Sequence, residues 1–204
     1  MNDNRFAAII LAAGLSTRMK EFKPLLPLGN ATVIEHAISS LKSTGIDVLL
    51  VTGHRQEELK AVVKRYKVTT VYNPDYEKGM FTSVQAGVQK LGKRYQAFFL
   101  LPADIPMVKS ATIQQIMASA ENAPDRIIYP VYNGKRGHPP LIPASMAPGI
   151  LTWKQEGGLK TFLRSHDEMA ENLAVDDSFI LFDIDTPEDY QRLLEYHRDS
   201  ITTS

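Results

Sequence analysis

The 204-residue sequence contains no cysteine. That absence removes disulfide frameworks, thiolate metal sites and cysteine nucleophiles together, and it suits a reducing cytosol, so a cytoplasmic location is expected. Excess charge is missing as well, since 23 lysines and arginines stand against 23 aspartates and glutamates. No global field draws in a nucleic acid or an anionic membrane, and any anionic partner must be met by local charge. Long hydrophobic runs are also lacking. Phe6 to Ala13 is too short to span a bilayer, comes after Asp3 and leads into a basic loop, so it reads as a buried strand and not as the core of a signal peptide. No repeat, linker or low-complexity stretch interrupts the chain, and its length suits one buried core, so a single domain over 1–204 is expected.

What is present is an alternation of apolar runs and amphipathic stretches. Phe6 to Leu11 reads as a strand; Ile34, Ala37, Ile38 and Leu41 recur at helical spacing, with Gly45 as the stop; Val48 to Val51 reads as the next strand. Leu59, Val62, Val63 and Tyr66 mark a second helix face, followed by a strand near Val68 to Tyr72, a helix from about Thr82 to Leu91 and an all-apolar strand, Ala97 to Leu101. Strands without polar alternation, separated by helices, predict an α/β fold: a mostly parallel sheet with helices on both faces, whose ligands sit beyond the carboxyl ends of the strands. After Ile127 to Val131 come a turn signal, Asn133-Gly134, and a proline-rich stretch from Pro139 to Pro148, which reads as a substrate lobe inserted late in the domain. A strand near Phe179 to Phe182 and a helix opened by Thr186-Pro187-Glu188 close the chain.

The loop after the first strand, LAAGLSTRMKEFK from Leu11 to Lys23, collects groups suited to a polyphosphate. Gly14 permits close backbone approach, Ser16 and Thr17 carry hydroxyl donors, Arg18 offers a planar fork, and Lys23 a mobile point charge. It is neither a Walker loop, because no Gly-Lys-Ser/Thr follows Gly14, nor a dinucleotide fingerprint, because Gly14 stands alone and the second strand runs into Thr52-Gly53-His54 instead of an acid. The alternative reading of the loop is a solvated basic turn. Asp104, just past the apolar strand and between Pro102 and Pro106, is placed to bind Mg²⁺ or to cap a turn.

LAAGLSTRM with Lys23, KGMFTSV from Lys78 to Val84, LPADIP from Leu101 to Pro106, GKRGHP from Gly134 to Pro139 and DIDTPEDY from Asp183 to Tyr190 together resemble, in order, the motifs of the MobA-like nucleotidyltransferases, and among them the molybdenum cofactor cytidylyltransferases. Two positions depart from the pattern: Lys20 stands where glycine is usual, and GGLK at Gly157 to Lys160 replaces G-D-x-G-x-R. The resemblance implies a Rossmann-like nucleotidyltransferase fold. It also implies Mg²⁺-dependent transfer of CMP from CTP to the phosphate of molybdopterin, with loss of pyrophosphate and delivery of the product to a recipient molybdoenzyme or its chaperone. On the same basis Leu11, Ala12, Ala13, Gly14, Ser16, Thr17, Arg18, Lys23, Gly79, Met80 and Ser83 hold the nucleotide, and Arg18, Lys23 and Asp104 are catalytic. Asp104 and Asp185 take the metal, and Gly137, His138 and Pro139 line the pocket of the second substrate. Three positions keep a second reading from the residues themselves. Asp185 can cap the helix that follows, with Asp183 as the substitute ligand on the same face of a strand; Ser83 can cap its own helix; His138 can be a packed loop residue. His36, His54, His166 and His197 have no metal-ligand spacing. Competing functions are transfer to a sugar phosphate, phosphocholine or methylerythritol phosphate, a nicotinamide-dependent reductase, and a catalytically silent binding module.

Overall fold

The computed structural model describes residues 5–15, 19 and 21–202. Its main sheet is built from β1 (Phe6–Ala12), β4 (Asp47–Thr52), β5 (Thr69–Tyr72), β6 (Ala97–Pro102), β7 (Ile127–Tyr132), β8 (Lys135–Arg136), β9 (Leu141–Pro143) and β10 (Ala170–Ala174), while β2 (Pro27–Leu28) and β3 (Ala31–Thr32) form a separate small hairpin. The strand order is β10-β7-β9-β6-β1-β4-β5, with β8 on β7. Pairing is parallel between β6 and β1, β1 and β4, β4 and β5, and β7 and β10; it is antiparallel where β9 lies between β6 and β7.

Every residue of β1 is buried, because its two faces are covered by different helices. Phe6, Ala8, Ile10 and Ala12 pack with Ile34, Ala37, Ile38 and Leu41 of α1 (Val33–Lys42), Leu59 and Val63 of α2 (Gln56–Val63), and Ile113 and Ile116 of α4 (Ser110–Asn122). Ile9 and Leu11 meet Val84 and Val88 of α3 (Met80–Leu91), Ile150 of α5 (Ala147–Thr152), and Phe162 and Leu163 of α6 (Gly158–Arg164). Period-two side chains with both faces covered give the continuous apolar run. Gly87 of α3 belongs to the same contact: a Cβ there would come within 2.7 Å of Ile9 Cγ2, so the helix lies against β1 as closely as backbone allows.

Local signals set the boundaries. Thr32 and Glu35 form a capping box at the start of α1, the Thr32 N–H and hydroxyl both donating to Glu35 Oε2, at 2.8 and 2.9 Å. Asn133 and Gly134 both take positive φ, 49° and 76°, giving the two-residue hairpin that joins β7 to β8. The sequence expectation holds for the fold class and for the first half of the chain, and needs three corrections beyond it. The proline-rich stretch is no inserted lobe, because Leu141–Pro143 is a strand inside the main sheet. The strand expected near Phe179 to Phe182 is mostly a 3-10 turn, Ser178–Leu181, that Asp177 caps by accepting from the Phe179 N–H. The last strand is instead β10, whose sequence AENLA is half-exposed at the sheet edge and lacks an apolar run. Helix α7 (Pro187–Thr202) starts at the expected proline.

Candidate active site

Three connections gather the carboxyl ends of the central strands. The Ala103 N–H donates to the Leu11 carbonyl (3.0 Å), the Ile184 N–H to the Asp104 carbonyl (3.0 Å), and the His54 N–H to the Ala13 carbonyl (3.2 Å). They tie the loop after β6 to the end of β1, the segment before α7 to the loop after β6, and the turn after β4 to the glycine loop. The result is a cleft of about 720 Å³ at the strand ends, where an open α/β sheet presents its ligand site.

Of the sequence candidates, Leu11, Ala12, Ala13, Gly14, Lys23, Gly79, Met80, Ser83, Asp104, Gly137, His138 and Asp185 all line this cleft, as does the substitute ligand Asp183. Pro139 is buried behind it, joined to His138 by a cis peptide. Ser16, Thr17 and Arg18 lie outside the described residues, as does Lys20.

Lys23 opens a 3-10 turn, Lys23–Leu25, whose following proline suits a first turn. Its ammonium donates to Asp185 Oδ1 at 2.8 Å and to Asp104 Oδ2 at 3.4 Å, with its side chain only 11% exposed. Two carboxylates from distant parts of the chain therefore converge on one point. Burial pushes the Asp104 carboxyl above its usual value, against the pull of the Lys23 charge. Such a carboxylate is under-compensated, and a cation beside it would be favoured. Among the described residues no cluster of three or more His, Cys, Asp or Glu side chains is arranged to hold a metal ion. Two converging carboxylates still fit Mg²⁺ or Mn²⁺, hard ions that complete their shells with phosphate oxygens and water.

The capping alternative for Asp185 falls to its neighbours. Asp189 Oδ2 accepts from the N–H groups of Asp185 (3.1 Å) and Thr186 (2.8 Å) and from the Thr186 hydroxyl (2.9 Å), while the Asp189 N–H donates back to Thr186 Oγ1. Thr186 and Asp189 thus cap α7, and the Asp185 carboxylate accepts from Lys23. Asp183 lies in the irregular segment after the 3-10 turn, not on a strand, and still reaches the cleft.

At the other end, Gly79 has φ of 114° and serves as N-cap of α3, so Ser83 does not cap; its buried hydroxyl accepts from Asn73 Nδ2 at 2.9 Å. His138 is anchored by its backbone N–H to the Ile180 carbonyl (2.8 Å). Burial lowers the pKa of its imidazole, outweighing the Leu100 backbone and the charges of Asp104 and Asp183. Nδ1 is buried with no hydrogen-bond partner among the described residues. Gly137 leaves no room for a side chain, since a Cβ would lie 2.5 Å from the Ile180 carbonyl oxygen. Sequence reasoning missed Tyr76, which lines the cleft and packs on His54, itself edge-on to Phe22. Its only signal is an aromatic residue three positions before Gly79.

A model of the MobA-like NTP transferase domain matches residues 8–169. The chain belongs to that family. It is 31% identical over 183 residues to the molybdenum cofactor cytidylyltransferase of Escherichia coli (strain K12), covering 89% of this chain and 92% of that protein. It is also 28% identical over 196 residues to the nicotine blue oxidoreductase of Paenarthrobacter nicotinovorans, covering 91% and 95%. Among solved structures, Rv0371c from Mycobacterium tuberculosis H37Rv superposes with a TM-score of 0.84 at 26% identity, over 96% of this chain and all of that one. The same protein has been solved in complex with manganese, with a TM-score of 0.79 at 22% identity over 94% and 98%. Among the described residues no helix is long and apolar enough to cross a membrane.

Proposed function

We propose that this nucleotidyltransferase family member is a single cytoplasmic domain over 1–204 that transfers CMP from CTP to the phosphate of a molybdopterin-type cofactor, with Mg²⁺ bound by Asp104 and Asp185. The product passes to a recipient molybdoenzyme or its chaperone. The observation that carries the reading is the meeting of Lys23, Asp104 and Asp185 at the carboxyl ends of β1 and β6, against the glycine loop. In this reading Leu11 to Gly14, with Ser16, Thr17 and Arg18, bind the triphosphate, while Gly79, Met80 and Ser83 face the nucleoside. An acceptor phosphate oxygen attacks the α-phosphorus in line and pyrophosphate leaves, so no protein nucleophile is needed. Lys23 and Arg18 act by charge and alignment. Bound Mg²⁺ would supply further neutralisation of phosphate charge. Gly137, His138 and Pro139 border the acceptor. Burial lowers the pKa of the His138 imidazole and so favours its neutral form, which would meet the acceptor as a dipole.

CTP is preferred to GTP because Ala13, clamped by the His54 N–H on its carbonyl, carries a methyl where the related guanylyl enzymes tend to have glycine. A misfit of that size is worth about 1–3 kcal/mol, or roughly 10- to 200-fold in kcat/KM. The test is pyrophosphate release with each nucleoside triphosphate and Mg²⁺, against molybdopterin, sugar phosphates, phosphocholine and methylerythritol phosphate. CTP with molybdopterin should dominate. GTP used as readily as CTP would refute the cytidylyl assignment, and a faster sugar phosphate would refute the acceptor. The likeness to the nicotine blue oxidoreductase keeps a reductase as the rival, and a protein that oxidises NAD(P)H while releasing no pyrophosphate would establish it.

A further inference from the structure

Asn73 follows β5 directly, is 3% exposed, and has every polar atom of its side chain committed. Oδ1 accepts from the Asp75 N–H at 3.0 Å, which fixes the amide orientation, since only the carbonyl oxygen can meet that donor. The two hydrogens of Nδ2 are then directed at neighbouring hydroxyls of α3, Thr82 Oγ1 at 2.8 Å and Ser83 Oγ at 2.9 Å.

Those hydroxyls differ in what they do next. Thr82 passes its own hydrogen to the carbonyls of Asp75 and Gly79, both at 2.9 Å, and so braces the loop between β5 and α3. Ser83 is 3% exposed, lines the cleft, and has no acceptor for its hydroxyl hydrogen among the described residues. A buried donor without an acceptor is unfavourable, and such groups in native proteins mark a missing partner. Because Asn73 already donates to the Ser83 oxygen, the hydroxyl is held with its hydrogen turned away from Asn73.

We propose that Asn73 is a positioning residue that fixes Ser83 as a hydrogen-bond donor to an acceptor atom of the bound nucleoside, such as a base carbonyl, a ring nitrogen or a ribose oxygen. The inference rests on the cleft being the nucleotide site. Asn73→Asp tests it with little change of shape: the carboxylate keeps the Asp75 N–H bond but can only accept, so it draws the Ser83 hydrogen back.

The experiment is calorimetric titration with CTP and Mg²⁺, without acceptor, on wild type, Asn73→Asp, Ser83→Ala and the double variant, with ATP, GTP and UTP titrated into wild type. Melting temperatures are measured alongside to confirm folding. Ser83→Ala should weaken binding about 3- to 10-fold, the value of one hydrogen bond. Asn73→Asp should weaken it at least as much in wild type and at least about threefold less on the Ser83→Ala background, since the added charge is common to both arms and cancels. If Asn73→Asp does not fold, Asn73→Ala, which withdraws the donor without adding charge, takes its place in the same cycle. An equal cost on both backgrounds overturns the proposal and makes Asn73 a brace of the loop alone. Wild type that binds no nucleoside triphosphate overturns the nucleotide reading and the proposal with it, whereas nucleotide binding with equal costs overturns only the proposal.

Discussion

Gly14→Ala separates what the fold needs from what a ligand needs. Among the described residues nothing lies within 4 Å of where a Cβ at Gly14 would stand, and its φ is outside the left-handed region. The described part of the chain therefore has no steric use for glycine there. Alanine in such a position shortens the list of unfolded conformations and stabilises by about 0.4–1 kcal/mol. For a chain of this size that is a rise in Tm of roughly 1–4 °C. Gly14 lines the cleft, where a methyl should hinder the approach of backbone N–H groups to a phosphate, at about 1–3 kcal/mol. The expected result is thus of opposite sign in two assays: Tm rises, while kcat/KM for the triphosphate falls roughly 10- to 200-fold in pyrophosphate release. Gly53→Ala is the contrast, because its Cβ would come within 2.7 Å of Tyr76 Cβ and 2.8 Å of the Ala13 carbonyl oxygen, and it should lose stability by about 1–3 kcal/mol. Unchanged kcat/KM in a stabilised Gly14→Ala protein would refute the reasoning, and so would a fall in Tm.

Asp104→Ala should cost several orders of magnitude in turnover and leave the melting transition cooperative; full activity at saturating Mg²⁺ would remove Asp104 from the reaction. Lys23→Ala should lower the maximal rate more than it weakens triphosphate binding, yet tighten Mn²⁺ binding to the free protein, because lysine and metal are alternative counter-charges for the same carboxylates. Weaker Mn²⁺ binding, followed by the electron paramagnetic resonance of the free ion, would contradict that competition. Asp189→Ala should cost about 0.5–2 kcal/mol by uncapping α7. Burial of Asp189 works against its charge, but bonds from Arg192, Thr186 and the Asp185 N–H bring its pKa from 3.8 to about 2. A depressed folded-state pKa gives stability that is complete above the unfolded value, so the difference between wild type and Asp189→Ala should be constant above about pH 4 and close as pH falls toward about 2. A difference that persists below that window would place the effect elsewhere.

The first half of the fold is legible because each strand there is buried on both faces and each helix carries one apolar stripe, so period and run length agree with position. Beyond β6 that agreement persists for β7 and α7 but fails for other elements, for physical reasons. β9 is three residues long, follows Pro140, ends in Pro143 and owes its place to the two strands beside it. α5 and α6 have six and seven residues, too few for a stripe to repeat, and edge strand β10 has few apolar positions to show. The 3-10 turn at Ser178–Leu181 misleads in the other direction, since SFIL has a strand-like composition, but Asp177 turns the chain by accepting from the Phe179 N–H.

The site residues can be read one by one, but not as an electrostatic unit, because no local pattern says that Lys23, Asp104 and Asp185 face one another across more than 160 positions of sequence. Their meeting has a consequence for binding order. Asp104, Asp183 and Asp185 all line the cleft, and the ammonium of Lys23 already lies between two of them. A triphosphate brought there alone meets carboxylates at short range in a partly buried site, where like charges are poorly screened. If Asp104 and Asp185 are its ligands, a divalent ion brought there alone would compete with Lys23 for them. Together, metal and phosphate neutralise each other and release Lys23 to meet an anion. The two ligands should therefore be positively coupled, and coupling is reciprocal: CTP should tighten Mn²⁺ by the same factor as Mn²⁺ tightens CTP, roughly 5- to 150-fold for a coupling of about 1–3 kcal/mol. Titrating each ligand in the presence and absence of the other measures both factors, after correction for the Mn²⁺·CTP complex that forms in solution. Equal affinities with and without the partner would mean that the carboxylates do not share an ion with the nucleotide, and the assignment of Asp104 and Asp185 as its ligands would fall.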